Sequence, residues 1–239
     1  MKNLTAEASP QFYAKTAGVL LLISFVAGGF GEFYAPNELI VSGDATATAN
    51  NIHTSTTLFR WGFAAYLVEA VCDISLALVL YVLLKPVRKD VALLAAFFGL
   101  VSTSTFAFAE LFYYAALPIL GGADYLKAFS PDQLNSLALL SLKLYGYGGG
   151  IFMVFYGIAT ALRGYLVFQS GYLPKFLGIL LVLSGAGFVI KNFLLVLAPA
   201  YAYDYFLLPT PITVLALIVW LLVKGVDVGK WHEKAGTQI

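Results

Sequence analysis

The sequence predicts an all-α membrane protein: a bundle of six transmembrane helices, a short surface helix on its outer side, and N- and C-termini both cytoplasmic. Three observations carry this prediction. The chain of 239 residues is 60% hydrophobic and only 11% charged, where soluble domains carry about 25% charged residues. Its mean hydropathy is +0.84, and its apolar runs reach the roughly 20 residues that cross a bilayer as a helix. Its cations concentrate in alternate connections, the asymmetry that orients membrane proteins.

Residues 1–15 read as a cytoplasmic tail, 16–226 as the membrane domain, and 227–239 as a second, polar and basic tail. The apolar run after residue 15 is longer than a signal-peptide core, so it reads as an uncleaved first span. Span one covers 16–35, and Gly28, Gly29 and Gly31 give it a smooth packing surface. Glu32 stands near its outer end. In 36–57, Asp44 reads as an N-cap opening a helix over 45–57, with Ala45, Ala49 and Ile52 on one side.

Span two covers 59–84, FRWGFAAYLVEAVCDISLALVLYVLL. At about 100° per residue, Gly62, Tyr66, Glu69 and Asp73 share one stripe, while Arg60 lies nearly opposite. The basic turn Lys85-Pro86-Val87-Arg88-Lys89 follows. Span three, 91–119, carries Glu110 well inside the hydrocarbon. Ser130-Pro131-Asp132-Gln133 is a capping-box start for span four, 131–168. Lys143, Tyr147 and Gly150 fall on one of its faces, and Gly148-Gly149-Gly150 is expected to be a packing surface rather than a break. Span five, 176–198, puts Ser184, Gly187 and Lys191 on one stripe. Span six covers 205–226, with Pro209 and Pro211 in its first turns.

One set of span ends holds Lys2, Lys15, Lys85, Arg88, Lys89, Arg163, Lys175, Lys224, Lys230 and Lys234; the other holds Arg60 and Lys127. The positive-inside rule therefore places both termini in the cytoplasm. The net charge of +1 leaves no basic block for nucleic acid. Cys72 is the only cysteine, and His53 and His232 are far apart in the chain, so neither a disulfide nor a thiolate zinc site is expected. No phosphate loop, dinucleotide fingerprint or nucleophile elbow is present, and no cofactor is expected. The expected partners are the lipid bilayer and a small-molecule or lipid ligand; the oligomeric state is not legible.

Five ionisable residues lie deep: Glu69 and Asp73 on span two, Glu110 on span three, Lys143 on span four and Lys191 on span five. Each costs about 2.5–3.5 kcal/mol on insertion scales, so such groups mark functional sites by default. Tyr66, Tyr113, Tyr145 and Tyr147 add hydroxyls at similar depth, and Tyr66 and Tyr147 join the five as candidates. Glu69 has cations within plausible reach; Asp73 has none obvious. These seven residues are the ligand or ion-pathway candidates. None is assigned a catalytic role, and no metal site is expected.

The stretches EFYAPNELIVSGDATATANNI (32–52), LFRWGFAAYLVEAVCDISLALVLYVLLKPV (58–87), LYGYGGGIFMVFYG (144–157), SGYLPKFLGILLVLSGAGF (170–188) and WLLVKGV (220–226) resemble a bacterial multi-pass family, domain of unknown function 4386. The resemblance implies the bacterial cytoplasmic membrane and the same architecture, but no activity. It also implies that His often stands where this chain has Lys143, which fits ion pairing or proton handling. The charged cluster favours a small-molecule or ion/proton-coupled carrier. Two alternatives stay open on sequence alone. One is an intramembrane enzyme using carboxylates as acid and base on a lipid or isoprenoid. The other is a non-catalytic partner or sensor subunit with structural ion pairs.

Overall fold

The computed structural model describes residues 9–236, and among them there are helices and turns but no strand. Among the described residues, six helical stretches are long and apolar enough to cross a membrane. The molecule is a multi-pass helical membrane protein.

Helix α1, Pro10–Gly28, runs through a π-helical segment, Gly29–Tyr34, into α2, Ala35–Leu39. Together they form one candidate span of 30 residues. It begins at Pro10 rather than Thr16 because Ser9 and Pro10 form an N-terminal signal. The Ser9 hydroxyl accepts from Phe12 N at 3.2 Å, and Pro at the first helical position loses no hydrogen bond. The surface helix α3 is Ala45–Thr54. Asp44 caps it as expected, accepting from Ala47 N at 2.8 Å. The remaining spans are α4 (Thr56–Leu84), α5 (Lys89–Leu120), α6 (Pro131–Ser170), α7 (Lys175–Leu197) and Asp204–Val223, whose α-helical part is α8 (Pro209–Val223). The capping box opens α6: Ser130 N donates to Gln133 Oε1 at 2.8 Å, and Gln133 N to Ser130 Oγ at 3.4 Å. At 40 residues, α6 is about 60 Å long, twice what the hydrocarbon requires. It passes through Gly148–Gly150 without a break. A Cβ on Gly148 would collide with Ala109, so that glycine is a packing contact. The C-terminal stretch read as a tail contains a further helix, α9, Val228–Gly236.

The chain divides into two compact units. The first comprises the chain up to Leu22, 72–102 and 153 onward; the second comprises 23–71 and 103–152. Helices α1, α4, α5 and α6 each contribute to both.

In the first unit, leucines from α1, α4, α6, α7 and α8 form the core, among them Leu21, Leu83, Leu166, Leu177 and Leu221. Lipid is as apolar as leucine, so close packing and hydrogen bonds hold such helices together. Glycines provide the approach between α6 and α7. A Cβ on Gly164 would stand 2.8 Å from Gly178 O, and one on Gly157 2.7 Å from Gly185 O. The end of α4 is doubly capped: Leu83 O accepts from Tyr172 OH at 2.8 Å and from Trp231 Nε1 of α9 at 2.9 Å. Burial pushes the Tyr172 phenol up from its ordinary value, so it stays a donor at physiological pH. Lys15 donates to the carbonyls of Leu222 and Val223 at the end of α8. The cations Lys15, Lys85, Arg88, Lys89, Lys175 and Lys224 all belong to this unit.

The second unit centres on Phe59 and Tyr113, stacked at 4.2 Å between ring centres and 10° between planes. Leu39, Ile52, Ala116, Ala138 and Leu142 pack around them.

Candidate functional site

The second unit gathers carboxylates from three helical segments. Gly28 closes α1, and the Glu69 carboxylate of α4 occupies the space its side chain would fill. A Cβ there would stand 2.8 Å from both Glu69 oxygens. Glu32 follows on the π-helical segment, a geometry that recurs at functional sites. Its Oε1 is buried. Glu110 of α5 is 3% exposed. It interacts electrostatically with Glu69, and the Tyr145 hydroxyl is hydrogen-bonded to it. Tyr145 also interacts with Glu32, Glu69 and Tyr113.

Aromatic packing fixes this group. Tyr66 is 2% exposed and meets Phe106 edge-on at 4.9 Å. Tyr113 and Tyr145 lie edge to face at 5.3 Å. The Tyr113 hydroxyl fits under α4 because position 62 is glycine; a Cβ there would stand 3.2 Å from it. Carboxylates and phenols so arranged can hold protons and pass them between neighbours. Among the described residues no group of three His, Cys, Asp or Glu side chains is placed to hold a metal ion.

The expectation that Lys143 and Lys191 face these acids is corrected. Lys143 is exposed and makes no ion pair among the described residues. It borders a groove of about 260 Å³ with Pro36, Asn37, Ile40 and Ser42. Lys191 pairs with Asp204 at 2.6 Å. Its stripe on α7 fastens the chain around the start of α8. Ser184 Oγ meets Thr213 Oγ1 at 2.8 Å, and a Cβ on Gly187 would collide with the Phe206 carbonyl. Tyr147 is 70% exposed. A stripe read at 100° per residue shows which residues share a face, but not which face turns inward.

Asp73 belongs to the first unit, where its electrostatic partner is Arg163 of α6. Its place near the end of a span groups Arg163 with the cations at the membrane edge. It lies about 10 Å before Ser170 along the helix, and its side chain leans toward the helix N-terminus, away from that edge. The guanidinium lies over Gly99 of α5, where a Cβ would stand 2.6 Å from Nη2. Tyr156, two turns earlier on the same helix, is its other electrostatic neighbour. The spacing of Tyr156, Thr160 and Arg163 on one α6 face was a signal available in the sequence.

Residues 16–225 match the family described as Domain of unknown function (DUF4386). A relative from the archaeon Archaeoglobus fulgidus, named only "Uncharacterized protein", is 31% identical over 155 residues, 65% of this chain and 78% of its own length. No solved structure matches the chain.

Proposed function

The chain belongs to this family, whose description carries no activity, and we propose from its buried acids that it is a proton-coupled carrier of a small molecule. The observation that supports this reading is the closeness of Glu69 and Glu110 inside the bundle, with the Tyr145 hydroxyl on Glu110. Two carboxylates side by side at low dielectric repel when both are charged, so they favour holding a proton between them. Such a pair exchanges that proton when a solute or a conformational change alters its surroundings. Glu32, reached through Tyr145, extends the path along the first span.

The orientation follows from charge. With Arg163 removed from the count, the basic connections still lie at one set of span ends, which supports cytoplasmic termini in a cell membrane. The test uses proteoliposomes loaded with a pH-sensitive dye and supplied with a panel of amphiphilic anions, amines and neutral solutes. At least one solute should drive protein-dependent proton movement, and Glu69→Gln and Glu110→Gln should each slow it by tenfold or more. Unchanged rates in both variants would sink the role given to the pair.

A further inference from the structure

The first unit contains a cavity of about 50 Å³, where about 10–15 Å³ suffices for one water. Its polar wall is Tyr156, Thr160 and Arg163 of α6, Ser184 of α7, and Thr210 and Thr213 of α8. The rest is apolar and dominated by leucines, with Leu83, Leu173 and Leu221 at the end nearest the basic connections. The lining therefore combines one guanidinium and five hydroxyls with hydrocarbon.

Thr213 donates to Pro209 O at 2.7 Å and meets Ser184 at 2.8 Å, so these two hydroxyls are engaged with each other and with backbone. Thr210 is not: its Oγ1 is buried with no hydrogen-bond partner among the described residues. A buried hydroxyl left unmatched is costly, and an occupant accepting its hydrogen would recover that cost. Arg163 offers a planar fork of donors that matches an oxyanion with two bonds. Among the described residues, the charged or titratable groups acting on it are Tyr156 on its own helix and Asp73 on α4.

We propose that this cavity binds a small amphiphilic monoanion of the short-chain carboxylate type. Its head sits on Arg163 and Thr210, and its hydrocarbon body lies along the leucines. The anion replaces Asp73 as the counter-charge of Arg163, and a proton taken up with the anion goes to Asp73, so the site gains one neutral acid in all. The site would supply the substrate of the carrier proposed above. That link rests on the carrier reading, whereas binding itself does not.

Binding and transport are therefore measured separately. Detergent-purified protein is titrated with hexanoate, hexanol and hexylamine, and its melting temperature and binding heat are recorded. Hexanoate should stabilise the protein, while the alcohol and the amine should not. Arg163→Gln should weaken hexanoate roughly tenfold to a hundredfold, the span of a charge-assisted bond. Should Arg163→Gln not fold, Thr210→Val decides, with a loss of about threefold to tenfold. Stabilisation by hexanol equal to that by hexanoate, or undiminished hexanoate binding in the folded variants, would overturn the proposal. Transport is read with hexanesulfonate, whose fixed charge keeps it from crossing lipid unaided. Binding without flux keeps the cavity and removes the carrier; flux without binding in the cavity removes the cavity.

Discussion

The guanidinium of Arg163 rests on the bare backbone of Gly99, and nothing larger than hydrogen fits between them: a Cβ would stand 2.6 Å from Nη2. Position 99 therefore sets where the charge sits. Gly99→Ala meets only the tip of a flexible side chain, which can swing aside. The expected outcome is a nearly unchanged melting temperature with weakened hexanoate binding. Gly99→Leu exceeds what the tip can yield and should cost about 1–3 kcal/mol of stability, read by thermal unfolding in detergent.

Gly187 poses a harder obstacle, because its neighbour is backbone. The Phe206 carbonyl occupies the Cβ position and is held in the connection between α7 and α8. Gly187→Ala should lower stability by about 1–3 kcal/mol, more than Gly99→Ala does. Equal melting temperatures for the two variants would show that the connection yields as readily as the arginine.

Lys191 and Asp204 form a contact whose acid is 93% exposed, and exposed pairs contribute little. Lys191→Met should leave proton-coupled flux at the level of the unaltered protein, unlike Glu69→Gln. A loss of flux comparable to that of Glu69→Gln would return Lys191 to the pathway.

The doubly capped end of α4 offers a graded test. Tyr172→Phe and Trp231→Phe each remove one donor from Leu83 O, and each should cost about 1 kcal/mol. The two together should cost more than their sum, since the carbonyl is then left without either donor. Additive losses in a double-mutant cycle would mean that water replaces the donors freely.

The local grammar of the chain was legible. Ser130 and Gln133, Asp44, and the apolar runs each declare themselves within a few residues, because caps and spans are local physics. Partner choice was not. Whether Glu69 meets Glu110 or a lysine depends on the rotation of several helices at once, and each rotation is set by contacts such as Gly28 with Glu69 and Gly148 with Ala109. Arg163 was misplaced for a related reason. A long cationic side chain can reach either toward the interface or along the helix, and sequence position does not distinguish the two.

The π-helical turn at Gly29–Tyr34 has a consequence for chain length. Such a turn holds about one residue more than an α-turn over the same rise. Losing a single codon there, such as that for Phe30, would let the rod close into continuous α-helix. The parts before and beyond the deletion would keep their faces, because the wide turn had already absorbed the extra residue. Only the side chains inside the turn, Glu32 among them, would be re-aimed. In descendants of this sequence, a one-residue deletion at this point would be tolerated by the rest of the rod while shifting the Glu32 end of the acid cluster.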